Sequence, residues 1–132
     1  MPIRDFQLAD ASEIVRILKL NGQYSFPRVD GPQAMKRVKE CNASVFIICE
    51  MDGRVVGAAR GTYDGSRAMI HQVSVHPDYQ RKGIGKALVK GIIKRFKKRG
   101  APTVSATVIM ESLPFWQKVG FRKTNIFLVG NW

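Results

Sequence analysis

The sequence predicts an α/β fold: a mixed α+β sheet with helices on both faces, in the order β-α-α-β-β-β-α-β-α-β. Three observations carry this reading. Apolar runs of strand length fill the middle of the chain, joined by the hairpin signals Asp52-Gly53 and Asp64-Gly65. Amphipathic stretches of helix length flank them on both sides. The stretch from Gly83 to Arg99 lies between two strand-like runs, the kind of crossover that parallel neighbours require.

Each element has its own signal. Pro2 to Phe6 reads as a short first strand. Asp10 is an N-cap residue for a helix reaching about Asn21, with Ile14, Ile17 and Leu18 on one face and Gly22 as its stop. Tyr24 to Pro32 reads as a loop, and Gly31-Pro32 opens a shorter helix through about Cys41 with Met35 and Val38 inward. Ser44 to Met51 contains Val45-Phe46-Ile47-Ile48-Cys49, the continuous apolar run of a buried strand. Arg54 to Tyr63 is the return strand. Its Gly57, Ala58 and Ala59 imply close approach of another backbone or a ligand. Arg67 to Val75 follows as a strand, ended by His76-Pro77, because proline cannot continue a central ladder. The helix from Gly83 to Arg99 closes at Gly100. Thr103 to Val108 is a strand, and Glu111 to Val119 a short helix with Pro114 in its first turn and Gly120 as cap. Phe121 to Val129 reads as a last strand.

At 132 residues, with 45% hydrophobic and 24% charged side chains, the chain reads as one soluble domain spanning 1–132. Its formal charge of +12 is unevenly spread: residues 1–78 hold 10 basic and 9 acidic side chains, residues 79–132 hold 12 and 1. An anionic partner is therefore expected in the C-terminal half. No apolar run approaches membrane-spanning length, and Met1-Pro2-Ile3-Arg4-Asp5 lacks a signal-peptide profile. Cys41 and Cys49 lack zinc-site spacing, so no metal is expected; both read as small core residues of a cytoplasmic protein.

The chemistry is concentrated in Val73 to Leu88. A buried strand runs into a glycine-containing loop that opens a helix, an arrangement that aims backbone N–H groups at a phosphate. Lys82 and Lys86 add charge there. A Rossmann fingerprint would need a third glycine where Leu88 stands. A P-loop would need Ser or Thr where Ala87 stands and Gly at Gln80. The pattern that fits is Gln-x-x-Gly-x-Gly, filled by Gln80-Arg81-Lys82-Gly83-Ile84-Gly85.

With this motif the sequence resembles the GNAT acyltransferase superfamily, as a small stand-alone member. The segment Phe115-Trp116-Gln117-Lys118-Val119-Gly120-Phe121 is similar to that family's Phe-Tyr-x-x-x-Gly-Phe, the hairpin around Tyr63-Asp64-Gly65-Ser66-Arg67 to its central hairpin, and the element order to its fold. The resemblance covers essentially the whole chain. It implies an acetyl-CoA-dependent N-acetyltransferase acting on a primary amine by direct attack. Acetyl-CoA would lie where the strand ending at Val75 splays from the strand at Thr103–Val108. Its pyrophosphate would sit on the N–H groups of Arg81, Lys82, Gly83, Ile84, Gly85 and Lys86, beside Gln80. Its pantetheine would pair with Val73, Ser74 and Val75, and an N–H near Val73 or Ser74 would polarise the thioester carbonyl.

His71 is the leading base for the amine, on a strand face expected to hold Met69, Val73 and Val75; a hydrogen-bonded sheet histidine is the equal alternative. Glu50 and Glu111 rank behind it, and His76 is expected at the strand end without a chemical role. Trp116 stands at the usual Tyr acid position, but an indole is too weak an acid to protonate a thiolate. It packs on the pantetheine or fills core.

Lys86, Lys90, Lys94 and Lys97 form one helical stripe: a solvated face, a lure for CoA and an anionic acceptor, or a nucleic-acid contact. The nucleic-acid reading is disfavoured because no exposed aromatics interleave with the lysines. The competing function is a catalytically weak acyl-CoA-binding or nucleic-acid-associated module on the same scaffold. No membrane partner is expected, and a monomer and a homodimer fit equally well.

Overall fold

A computed structural model of the protein describes residues 2–130. Five strands form one mixed sheet in the order β1-β2-β3-β4-β5. They are β1 (Ile3–Asp5), β2 (Ser44–Met51), β3 (Arg54–Tyr63), β4 (Ala68–Val75) and β5 (Val104–Ala106). The first four pair antiparallel in sequence order, and β5 joins β4 in parallel. Asp52 and Gly53 both take positive φ, 53° and 76°, and so close the β2–β3 hairpin with a twist matching its strands.

Three helices precede β2: α1 (Ala11–Leu20), α2 (Pro27–Asp30) and α3 (Pro32–Glu40). The crossover is α4 (Ile84–Lys98), and α5 (Leu113–Lys118) follows β5. The helices α1 and α3 cover one face, where Ile14, Ile17, Leu18 and Met35 pack on Phe46, Ile48 and Ala58. The other face takes α4, whose Leu88, Val89, Ile92 and Phe96 pack on Ile47, Val56, Ala59 and Ile70. Each such apolar side chain contributes about 1.5–3 kcal/mol by leaving water.

Small residues on β3 allow α4 to come this close. A Cβ on Gly57 would lie 3.0 Å from Leu88 Cδ1 and 3.2 Å from the Ser74 carbonyl oxygen. One on Gly61 would overlap the Met69 carbonyl oxygen and meet the Phe96 ring at 3.0 Å. The close approach expected at Gly57 is therefore met by helix and sheet atoms of the protein itself.

Several elements depart from expectation. The loop from Tyr24 to Pro32 contains α2, started by Pro27 and braced by Asp30, whose carboxylate accepts from Ser25 N at 2.8 Å. Asp10 precedes α1 but does not cap it. Its buried carboxylate accepts two Arg4 hydrogen bonds at 2.9 Å and the Gln7 amide at 2.8 Å, tying β1 to a 3-10 turn over Leu8–Asp10. Cys49 is buried, whereas Cys41 is exposed; both are free thiols. The expected last strand, Phe121 to Val129, is absent: residues 121–130 take no regular secondary structure, and Ile126 and Leu128 stand 86% and 83% exposed. Its β-branched residues favour a strand only when a neighbouring ladder receives them, and β5 is just three residues long.

Candidate functional site

The parallel pair β4–β5 is short. Its last rung joins Ile70 to Ala106, extended by the Thr107 amide donating to the Ile70 carbonyl at 3.1 Å. Beyond this point no strand among the described residues lies beside β4 on the β5 side, and the two strands part. On its other side β4 stays in register with β3: Ser74 opposes Ala58, and the His76 amide donates to the Val56 carbonyl at 2.8 Å. Ladder bonding alternates along a strand, so the N–H and C=O of Val73 and Val75 face the gap. The Val73 carbonyl accepts from Gln23 Nε2 at 3.1 Å, and the Val75 carbonyl from Asn21 Nδ2 at 2.8 Å and Gln80 Nε2 at 3.0 Å. Of the two amides singled out from the sequence, Val73's opens to the gap and Ser74's lies within the β3 ladder. The buried Ser74 hydroxyl accepts from Asn21 at 2.8 Å.

The chain then turns through Pro77–Tyr79 and Gln80 into α4. Arg81 has φ 63°, and Gly83, the residue capping α4, has φ 81°, a left-handed geometry that glycine adopts without strain. The first backbone acceptance in α4 is Ala87 N to the Gly83 carbonyl at 3.0 Å. No backbone acceptor among the described residues takes the N–H groups of Arg81 to Lys86, so these donors and the positive end of a 15-residue helix stand together. Lys82 and Lys86 are exposed beside them, with Lys82 Nζ 5.4 Å from the Tyr79 ring centre. Gln80 braces the turn from its side chain: Nε2 reaches Asn21 Oδ1 at 3.3 Å as well as Val75.

Gly85 has a different reason to be small. A Cβ there would stand 3.1 Å from the Phe115 ring, which packs α5 onto the start of α4. Beside it Trp116 is 5% exposed, edge-to-face with both Phe115 and Phe121 at centroid distances of 5.5 and 5.1 Å. The indole is a core side chain.

His71 occupies a β-bulge. Arg60 pairs with Gln72 and Gly61 with Ile70, leaving His71 as the extra residue of β4. The bulge changes which side chains share a face: Ile70 before it and Val73 and Val75 after it all pack toward α4. His71 therefore does not share the face of Val73 and Val75, as simple alternation predicts. Its Nε2 lies 2.9 Å from Thr62 Oγ1, and its carbonyl accepts from Thr107 Oγ1 at 3.2 Å. The ring keeps an exposed edge, but the protein around it, and then the Arg60 charge, hold its pKa below the ordinary histidine value. Arg60 in turn pairs with buried Asp30 at 3.2 Å, and its Nε is buried without a partner.

The other titratable groups lie apart. Glu50 pairs with Arg4 at 3.3 Å on β2, two strands from β4. Glu111 is exposed in a 3-10 turn over Met110–Ser112. His76 is buried at the end of β4, with Nδ1 accepting from the Asp78 amide at 3.1 Å. Sequence reasoning missed Asn21, Gln23 and Thr107, the polar side chains that dress the gap, and Thr62, which meets His71 from β3. Each is an ordinary polar residue whose meaning depends on the strand it meets.

A concavity of about 580 Å³ lies beyond β1, between α3 and the last turn of α4, lined by Lys39, Arg95, Lys98 and Arg99 with Asp5. It holds no unpaired strand edge of β4 and none of the groups described above. Among the described residues no cluster of His, Cys, Asp or Glu is placed to hold a metal, and no helix is long and apolar enough to cross a membrane.

The parted strands, the bulged β4 and the turn into α4 together define an acyltransferase scaffold. The sequence model of the Acetyltransferase (GNAT) family matches residues 13–121, and the chain belongs to that family. Its structure is similar to a transcriptional regulator from Bacillus halodurans C-125, with TM-score 0.85 and 25% identity over 99% of each chain. It is also similar to an acetyltransferase from Trypanosoma brucei, with TM-score 0.77 and 25% identity over 99% of each chain. A third similar structure is the PaiA N-acetyltransferase from Thermoplasma acidophilum in complex with coenzyme A, with TM-score 0.83 and 18% identity over 96% of this chain and 92% of that one. The mixed five-strand sheet is that of the GNAT acyl-CoA N-acyltransferase fold.

Proposed function

We propose that the protein is an acetyl-CoA-dependent N-acetyltransferase that passes an acetyl group to a primary amine by direct attack in a ternary complex. The observation that carries this reading is the row of unaccepted N–H groups from Arg81 to Lys86 at the mouth of the β4–β5 gap. Those donors suit a pyrophosphate, with Gly83 providing the turn and Lys82 and Lys86 the added charge. The N–H groups of Val73 and Val75 face the gap as donors for the pantetheine carbonyls, their own carbonyls being held by Gln23, Asn21 and Gln80, and the Val73 N–H is the donor that would polarise the thioester carbonyl.

His71 acts as the base. Its lowered pKa leaves the ring neutral at physiological pH, so it accepts the proton that turns the acceptor's ammonium into an amine. The amine nitrogen then bonds to the carbonyl carbon, the C–S bond breaks, and CoA departs as thiolate. One of the two N–H protons left on the nitrogen then passes to solvent or to the thiolate, and the other stays on the product amide. Trp116 supplies no acid, because its indole is packed in the core. Acceleration then comes mainly from holding amine and thioester together.

The buried indole is also what favours the second reading, a catalytically weak acyl-CoA binder. One pair of measurements separates the two. Millimolar acetyl-CoA or CoA should raise the melting temperature by several degrees, by mass action on the folded state. Release of CoA thiol should then depend on an added amine. A thermal shift without amine-dependent release supports the second reading, and no shift at all contradicts both.

A further inference from the structure

We infer that the acceptor is a primary amine carried on an apolar body, gripped between two exposed hydrophobic lips that flank His71. The inference rests on the acetyl-transfer reading above. Each lip is fixed to β4 beside His71 by its own hydrogen bonds. On one side the Gln23 carbonyl accepts from Gln72 Nε2 at 3.4 Å, and Gln23 Nε2 donates to Val73. The chain continues from there to Phe26 and Val29, which are 54% and 42% exposed. On the other side Thr107 bonds Ile70 and His71. The next residues are Val108, Ile109 and Met110, with Ile109 and Met110 58% and 69% exposed.

Five apolar side chains in two short segments, tied to adjoining residues of one strand, are more than scattered surface hydrophobics. Tied to β4 on either side of His71, they would be covered by an apolar acceptor body whose amine the histidine deprotonates. The charges around this rim disfavour a second cation. Arg60 pairs with Asp30 from below and uses up that carboxylate, and Arg28 is exposed on α2. Glu111, exposed beside Met110, is the one acid on the opposite lip. Net charge at the rim thus gives a diamine no advantage.

Three six-carbon acceptors test this: hexylamine, 1,6-diaminohexane and 6-aminohexanoate, assayed by CoA thiol release with the full chain. Hexylamine should show a kcat/KM about tenfold or more above both others, the scale of discrimination an apolar contact provides. The double variant Phe26→Ala, Met110→Gln should raise its KM about tenfold and leave the KM for acetyl-CoA unchanged. Both positions are exposed, and an unchanged melting temperature would show that the variant is folded. A diamine or amino acid that matches hexylamine overturns the inference, as does a double variant with unaltered hexylamine KM. If acetyl-CoA neither stabilises the protein nor releases thiol with any amine, the acetyl-transfer reading itself has failed. If it stabilises the protein and the three acceptors react alike, only the lips have been misread.

Discussion

His71 owes its position to a single extra residue in β4. The bulge turns the ring out of the core-facing row and beside Thr62, with Arg60 close enough to oppose its protonation. A lowered histidine pKa has a definite sign. The fold favours the neutral ring, so acidification through and below the usual value of about 6.5 removes stability as well as basicity. Turnover should therefore hold at neutral pH and fall on the acid side of that value. His71→Gln should lower kcat by about a hundredfold at neutral pH with the KM for acetyl-CoA preserved. An unchanged kcat and pH profile would show that the histidine only braces the bulge through Thr62.

At the scale of elements, the site is made by α4 and α5 meeting the end of β4. Gly85 is where the ring of Phe115 rests, so its substitution acts through packing. Gly85→Ala should cost about 1–3 kcal/mol of stability and weaken acetyl-CoA binding by displacing the turn, read by denaturant melts and by ligand titration. An unchanged midpoint and affinity would show that α5 yields without cost. The same contrast explains what could be read in advance. Gly83, Gly120, Asp52-Gly53 and the long apolar face of α4 are local signals, and their elements stand where the sequence puts them. The bulge at His71 is a one-residue shift in the register of β3 against β4, and nothing in the residue pattern of either strand records it. The segment Phe121 to Val129 has strand-forming residues, but a strand also needs a partner edge, which a run of residues cannot specify. Trp116 shows a third limit. Its place in the motif is legible, whereas its burial depends on Phe121 turning back to cover it, with the Phe121 amide donating to the Trp116 carbonyl at 2.9 Å.

Across the whole molecule, six of the twelve basic residues in 79–132 lie on α4, which has no acidic residue. Lys86, Lys90, Lys94 and Lys97 are all exposed, running from the turn at Arg81–Lys86 toward the basic concavity at the other end of the helix. Two anion-attracting regions therefore share one helix, and only the first adjoins the parted strands. Acetyl-CoA is proposed to sit on the unaccepted amides of the first region. The most direct measurement is an acetyl-CoA titration followed by backbone amide chemical shifts of the isotopically labelled protein. The amides of Arg81 to Lys86 and of Val73 and Val75 should shift together and saturate, with Lys98 and Arg99 unmoved. Saturable shifts confined to Lys39, Arg95, Lys98 and Arg99, with the turn silent at millimolar ligand, would contradict it.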